Sequence, residues 1–367
     1  MGRFRDTGLA FEEKFLEIAE RRIGFAYEPY IVAELSANHN GKLARALAIM
    51  EAAKEAGADA VKLQTYTADR LTLDYDGPDF CIKGGLWDGR KLYDLYREAA
   101  LPLDWHEALF AKGRELGITV FSSPFDDYAV DLLEELDAPA YKIASFELVD
   151  LGLIRKVAAT GKPLIISTGM ADLEEIGEAL TAAHGAGCTQ IILLHCISAY
   201  PAPAEDTNLR VIEDLRQRFG LMVGLSDHSM GTTIAVAAVA LGAPFIEKHF
   251  TLDRSDGGLD SAFSLERAEL KELVSSSKRA WRALGHVCYR RSAGEKGNVI
   301  FRRSIYVVED ILAGDCLTER NIRSIRPGYG LAPKHLPDVL GRRAIRDLPR
   351  GTALSWADLV PFDETTA

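Results

Sequence analysis

Ionisable side chains stand inside short apolar runs of this chain: Glu34 in AELSANHNG, Lys62 in GADAVKLQTY, Lys142 in AYKIASFE, and Glu247, Lys248 and His249 in IEKHF. A charge buried among aliphatic residues is costly unless it is paired or used, so these positions point either to internal ion pairs or to chemistry. Hydroxyls recur at comparable places, at Ser123, Ser145, Ser167 and Ser226. Two lysines and four serines would make a cradle for a phosphate or carboxylate, with the lysines as point charges and the serines as neutral donors. Taken singly, each serine also fits a helix N-cap. His228 and His249 end the last two runs of this kind, and paired imidazoles with Asp and Glu nearby suit a divalent ion of the Mn, Fe, Co or Zn type. Histidines that are only hydrogen-bonded are the plainer alternative. The chain has no HExxH and no four-ligand zinc pattern, which disfavours a structural zinc.

The elements that must position these residues follow one grammar from residue 31 onward: a Val/Ile/Leu-rich run, a polar tip, then an Ala/Leu/Glu-rich stretch. The runs are Ile31 to Leu35, Ala60 to Gln64, Thr119 to Ser123, Ala140 to Ser145, Pro163 to Thr168, Ile191 to Cys196, Met222 to Asp227 and Phe245 to Phe250. Near-continuous apolar runs of this length fit strands buried on both faces of a parallel sheet. Stretches such as 44–60 and 173–188 have helical periodicity and glycine near the end. Eight βα units over residues 31–284 match the roughly 250 residues of a (β/α)8 barrel. A doubly wound dinucleotide-binding sheet would call for GxGxxG after the first strand, where this chain reads AELSANHNG. Barrel enzymes carry their reactive groups at the C-terminal ends of the strands. Those ends supply Glu34, Lys62 with Gln64, Ser122 and Ser123, Lys142 with Ser145 and Glu147, Ser167 and Thr168, His195 to Tyr200, Ser226 with Asp227 and His228, and Glu247 to His249.

After Leu284 the pattern changes to short alternating runs punctuated by Gly and Pro. Residues 307–322 (VVEDILAGDCLTERNI) and 344–359 (AIRDLPRGTALSWADL) form an imperfect repeat. It pairs Asp310 with Asp347, Gly314 with Gly351 and Leu317 with Leu354, which implies a pseudo-symmetric β-rich module. The expected organisation is an N-terminal extension or hairpin over 1–30, the barrel over 31–284, a linker over 285–302 and the small module over 303–367.

Composition bounds the functional classes. The 367 residues are 47% hydrophobic with a formal charge of −11, 43 basic against 54 acidic, as in an ordinary soluble protein with no nucleic-acid partner. An anionic ligand must then be held by local cations. The five cysteines form no CxxC pair, which fits a reducing cytoplasm. The N-terminus lacks the pattern of a signal peptide, and the longest apolar stretch, Ile234 to Ile246, is too short for a membrane span and reads as a core helix.

AELSANHNG (33–41), GADAVKLQTY (57–66), FSSPFD (121–126), AYKIASFE (140–147), STGM (167–170), SAYPAP (198–203), GLSDH (224–228), EKHFTLDRSDGGLDSAFSL (247–265) and RSIRPGYG (323–330) resemble, in this order, the sialic acid synthase family. The similarity runs along essentially the whole chain. AELSANH, the loop IKGGLWDGRKLYDLY (82–96) and SIRPGYGL are most similar to the pseudaminic acid synthases of that family.

The resemblance implies a metal-dependent (β/α)8 TIM barrel followed by an antifreeze-like (SAF) domain, in a homodimer that swaps its SAF domains. It also implies a hairpin at residues 15–25 that plugs the barrel floor. The implied reaction joins phosphoenolpyruvate to an open-chain acetamido sugar, releasing phosphate and forming a nine-carbon keto acid. Carried over by motif, Glu34, Lys62 and Lys142 are catalytic, with Glu34 handling a proton. Lys62, Ser123, Lys142, Ser145, Ser167 and Ser226 hold phosphoenolpyruvate, and Gln64, Glu147, Tyr200 and Asp260 contact the sugar. Arg326 reaches in from the neighbouring subunit. His228 and His249 bind the metal, Mn²⁺ first, with Mg²⁺ or Co²⁺ as alternatives. The acceptor implied is 2,4-diacetamido-2,4,6-trideoxy-L-altrose; N-acetylmannosamine or its 2,4-diacetamido-6-deoxy analogue, as in sialic and legionaminic acid synthases, is the alternative. Ser198 and Ile197 stand where the family usually has Asn and Thr, and His195 stands where pseudaminic acid synthases often have Lys. A non-catalytic glycan-binding role for the tail is disfavoured by the intact set of Glu34, Lys62, Lys142, His228 and His249. A 3-deoxy-ulosonate phosphate synthase would need a second phosphate site, for which the strand ends offer no extra arginine cluster.

Overall fold

The computed structural model describes residues 14–361. The first described element is an antiparallel hairpin, β1 (Leu16–Ile18) and β2 (Arg21–Ile23), turned at Ala19 and Glu20, both at positive φ. Eight parallel strands follow: β3 (Tyr30–Glu34), β4 (Ala60–Thr65), β5 (Thr119–Pro124), β6 (Tyr141–Ile143), β7 (Leu164–Ser167), β8 (Ile191–Cys196), β9 (Met222–Asp227) and β10 (Phe245–His249). They pair in sequence order, and β10 closes on β3 to complete the barrel. Each strand reads as apolar throughout because both of its faces are covered, one by helices and one by the barrel interior.

The helices covering the barrel are α1 (Leu43–Ala56), α2 (His106–Leu116), α3 (Asp127–Glu135), α4 (Leu151–Ala158), α5 (Leu173–Gly185), α6 (Val211–Phe219), α7 (Thr233–Ala240) and α8 (Arg267–Leu284). α5 starts where the Asp172 carboxylate accepts hydrogen bonds from the Glu174 and Glu175 amides, and Glu175 returns a bond to the Asp172 amide. α1 stops at Gly57, the glycine near the end of the 44–60 stretch, whose φ of 92° suits glycine, and the chain then turns into β4. The run Ile234 to Ile246, expected as one core helix, is instead most of α7, a turn at Gly242 (φ 93°) and the start of β10. Apolar character alone does not separate a buried helix from a buried strand.

Alternation along the strands sorts side chains into two cores. Ile31, Val61, Leu63, Ile143, Leu164, Ile166, Leu193 and Ile246 face outward and pack beneath the helices. Tyr30, Val32, Ala60, Phe121, Ile165, Ile192, Leu194 and Phe245 fill the lower barrel, with Leu16, Ile18 and Ile23 of the hairpin in the same cluster. Tyr30 stacks on Phe245 at 5.4 Å between ring centroids. Gly224 keeps this floor closed, since a Cβ there would run into the Phe245 carbonyl and the Leu194 side chain. The lower barrel is therefore solid, and the polar residues are confined to its other end.

The chain divides into two compact units, 1–285 and 286–367. The segment read as a linker clusters with the second unit and holds a short helix, Ala293–Lys296. That unit contains the antiparallel pair β11 (Ser304–Val307) and β12 (Ile322–Ile325) and a core in which repeat partners occur together: Val307 with Ala344, Ile311 with Leu348, Leu317 with Leu354, and Ile322 with Leu359. The hydrogen bonds repeat as well. Asp347 Oδ1 accepts from the Ala313 amide at 2.8 Å, and its counterpart Asp310 Oδ1 accepts from the Arg350 amide at 2.7 Å. Ile311 and Leu348 exchange backbone bonds of 3.0 and 2.8 Å, placing them across the pseudo-two-fold.

Candidate active site

The period of two along each strand decides which polar residues meet. Glu34, Lys62, Gln64, Ser123, Lys142, Ser167, Ser226, Glu247 and His249 continue the inward-facing positions above the apolar floor, and register sets them level: Glu34 lies beside Lys62 and His249, and Ser226 beside Glu247. Residues one step out of phase face the helices. Lys248, expected to contribute to chemistry, is sealed outside the barrel in an ion pair with Asp227 at 2.7 Å and donates to the Ser229 carbonyl at 2.6 Å. Ser122 bonds Thr65 at 2.6 Å, and His195 bonds the Thr207 carbonyl at 2.5 Å. His195 thus points away from the interior, so its identity carries little weight for the choice of sugar.

Four charges form the centre. Lys62 Nζ lies 2.6 Å from Glu34 Oε2, 3.2 Å from Ser123 Oγ and 3.7 Å from Glu247 Oε1. Lys142 Nζ donates to both oxygens of Glu247 at 3.0 and 3.2 Å, and Ser226 Oγ donates to Glu247 Oε1 at 3.3 Å. Glu247 was visible at a strand end but was not assigned a role; the structure makes it the hub that couples both lysines. With two carboxylates for two ammonium groups, the cluster has no formal excess charge, whereas the lysines alone had suggested a positive mouth. Burial raises the Glu34 carboxyl to about 7, opposed by the attraction of Lys62 and reinforced by the repulsion of Glu247. Burial also lowers Lys142, while Glu247 is held below the ordinary carboxylate value because the two lysines outweigh its own burial. Ser167 Oγ is buried without a hydrogen-bond partner, an available donor on the cradle wall.

The β9 and β10 ends bring the histidines together, with ring centroids 5.3 Å apart. His228 Nδ1 donates to the Ile197 carbonyl at 2.9 Å, so Nε2 is the nitrogen an ion would take. His249 Nδ1 is buried with no hydrogen-bond partner, and burial, then His228, then Lys62, keep this imidazole neutral far below its ordinary value. A neutral imidazole with an available nitrogen is what an ion requires. The pair therefore fits a divalent metal. Among the described residues no group of three or more His, Cys, Asp or Glu is arranged to hold one, so the remaining positions would fall to water or substrate oxygens, as in an open catalytic site. Tyr200 packs on His228 at 4.4 Å between ring centroids, Phe263 on His249 at 4.9 Å, and Trp87 of the 82–96 loop on Tyr200 at 5.9 Å. Cys196 Sγ stands 3.8 Å from His228 Nδ1; it and Trp87 were not singled out, although the inward phase of β8 would have marked Cys196.

The remaining assigned residues form a rim. Gln64 Nε2 donates to Glu34 Oε1 at 2.9 Å and to Ser36 Oγ at 3.2 Å, and Ser36 Oγ donates to Asp260. Asp260 Oδ2 is 4.0 Å from His249 Nδ1. Ser145 Oγ accepts from the Gly169 amide at 3.1 Å, and a Cβ at Gly169 would collide with the Ser198 hydroxyl, which explains the glycine of STGM. Glu147 is half-buried, its Oε2 lacks a partner, and burial raises it to about 7. Arg326 belongs to the second unit, directly after β12, and is exposed.

Comparison with known proteins gives this arrangement a lineage. Residues 49–289 match the NeuB family, and residues 302–360 match the SAF domain. The chain belongs to the NeuB family. It is 46% identical to the pseudaminic acid synthase of Campylobacter jejuni over 329 residues, 90% of this chain and 96% of that protein. It is equally identical, at 46%, to the pseudaminic acid synthase of Helicobacter pylori over 90% of this chain and 98% of that one. Identity to the N,N'-diacetyllegionaminic acid synthase of C. jejuni is 38% over 86% of this chain and 96% of that protein. Among solved structures, the spore coat polysaccharide biosynthesis protein spsE of Bacillus subtilis aligns with TM-score 0.65 at 34% identity, covering 95% of this chain and all of that one. These NeuB-family likenesses span both units, barrel and SAF domain, as the ordered motifs led one to expect.

Proposed function

We propose that this chain condenses phosphoenolpyruvate with the open-chain form of 2,4-diacetamido-2,4,6-trideoxy-L-altrose, giving pseudaminic acid and phosphate. The observation that carries this reading is the 46% identity, over nearly the full length of both chains, to synthases named for pseudaminic acid, against 38% to a legionaminic acid synthase. The site supports it chemically. Lys62 and Lys142, with Ser123, Ser145, Ser167 and Ser226, supply two cations and a set of hydroxyls for the phosphate and carboxylate of phosphoenolpyruvate. Gln64, Glu147, Tyr200 and Asp260 border the space left for the sugar. His228 and His249 would hold a divalent ion, Mn²⁺ first, which when bound would polarise the sugar aldehyde.

In the reaction, C3 of phosphoenolpyruvate forms a bond to the aldehyde carbon as the carbonyl π bond opens, and the aldehyde oxygen takes up a proton from solvent water. Positive charge develops at C2, where the carboxylates of Glu34 and Glu247 stabilise it. Water adds at C2 and gives up a proton to Glu34. The tetrahedral intermediate then collapses with cleavage of the C2–O bond, releasing phosphate and leaving the keto acid. When phosphoenolpyruvate arrives, its anionic groups replace part of the contact the lysines now make with Glu34 and Glu247. Arg326 of a partner subunit completes the sugar side in a homodimer that exchanges SAF domains. Phosphoenolpyruvate labelled with heavy oxygen in its C2–O–P bridge should deliver the label to phosphate; label retained in the keto acid would contradict this mechanism.

A further inference from the structure

Ser36 is out of place by local rules. It is buried just beyond the C-terminal end of β3, with a φ of +48°, a left-handed conformation that favours glycine and costs other residues. A strained non-glycine residue beside a reaction centre suggests that its side chain is needed, and here the hydroxyl is fully engaged. It accepts from Gln64 Nε2 at 3.2 Å and donates to Asp260 Oδ2, which also receives the Ala37 amide at 3.5 Å. Gln64 Nε2 spends its other hydrogen on Glu34 Oε1 at 2.9 Å, so the amide oxygen is the polar atom Gln64 has left for a ligand. Asp260 likewise commits Oδ2 to the Ser36 turn, leaving Oδ1. These are two acceptors held by one hydroxyl on the sugar side of the site.

We propose that Ser36 is a specificity-determining positioning residue: it orients Gln64 and Asp260 so that their free oxygens accept hydrogen bonds from two donor groups of the acceptor sugar, such as an acetamido N–H and a hydroxyl. This rests on the synthase reading above and deepens it by naming what sets the acceptor. A sugar that presents only one of the two donors leaves a buried acceptor unpaired and is rejected, which is how a polar site discriminates most strongly.

The test compares Ser36→Gly and Ser36→Ala in the full-length protein. Glycine relieves the backbone conformation and alanine does not, while both remove the hydroxyl. Ser36→Gly should therefore melt higher than the wild type and Ser36→Ala no higher. Both should nonetheless raise the KM for the sugar by roughly tenfold, with the KM for phosphoenolpyruvate within about twofold of wild type and a narrowed preference among the three candidate sugars. Adding Asp260→Asn to Ser36→Gly should raise the sugar KM little further, because both changes break one unit. An unchanged sugar KM in both variants, or an equal rise in both substrates' KM, would overturn the proposal. Wild-type protein that releases no phosphate with any of the sugars would instead overturn the synthase reading, and that control separates the two failures.

Discussion

Glu34 carries the most specific chemical expectation. Burial holds its carboxyl near 7, above its ordinary 4.5, so below that pH the group is neutral and cannot stabilise positive charge at C2. Activity should rise through an apparent pKa of about 7. Glu34→Gln should lower kcat by roughly two orders of magnitude or more and remove this limb from the pH–rate profile. Stability has the opposite sign. A carboxyl whose folded value is raised contributes stability at low pH and loses it as pH rises from 4.5 toward 7. The melting temperature of Glu34→Gln relative to wild type should accordingly be more favourable at about pH 8 than at about pH 5. Lys142→Ala should raise the KM for phosphoenolpyruvate far more than that for the sugar; equal effects would count against the cradle. The polar strand-end residues were legible from sequence because charges interrupted apolar runs. Which of them met was not, since Lys248 and Glu247 are neighbours in sequence but lie on opposite faces of one strand, and only the pairing phase separates them.

At the scale of elements, the strands divide labour between structure and site. The Lys248–Asp227 pair ties the outside of β10 to β9, both side chains being almost fully enclosed. Asp227→Ala would leave a buried ammonium without its partner and should cost about 3–5 kcal/mol in denaturant unfolding, with kcat per folded molecule little changed. The hairpin performs a similar service at the floor: Ile18 is fully buried against the interior cluster, and Ile18→Ala should destabilise by about 2–5 kcal/mol without altering either KM. Eight strands were legible because each is a dense apolar run followed by a helix with its own stop signals. The stretch at 234–246 was misread because Gly242 alone marks the break between a helix and a strand of similar composition. Ser36 was missed because nothing in AELSANH shows that its backbone is left-handed.

The whole molecule joins two units by a logic that net charge hides. The chain is acidic overall, and the two cations proposed to meet phosphoenolpyruvate, Lys62 and Lys142, are paired with Glu34 and Glu247 inside the barrel. The second unit shows how far a weak repeat can be trusted: residues matched between its halves also match in core packing and hydrogen bonding, because both halves bury the same face against each other. If Arg326 acts on the partner's site, mixing Glu34→Gln and Arg326→Ala chains, each inactive alone, should restore about a quarter of wild-type activity once subunits exchange. No recovery in mixtures proven to contain heterodimers would place Arg326 on its own barrel or outside catalysis. No helix of the described residues is long and apolar enough to cross a membrane.

Assignment as a pseudaminic acid synthase is checked by product mass and initial phosphate release when the purified protein is given phosphoenolpyruvate, Mn²⁺ and each of three sugars separately. The sugars are 2,4-diacetamido-2,4,6-trideoxy-L-altrose, its legionaminic-type isomer and N-acetylmannosamine. Release should be fastest with the altrose derivative, and the product should have the mass of the sugar plus pyruvate, as that assignment requires. Faster turnover with either of the other two, or phosphate released without a new carbon–carbon bond, would contradict it.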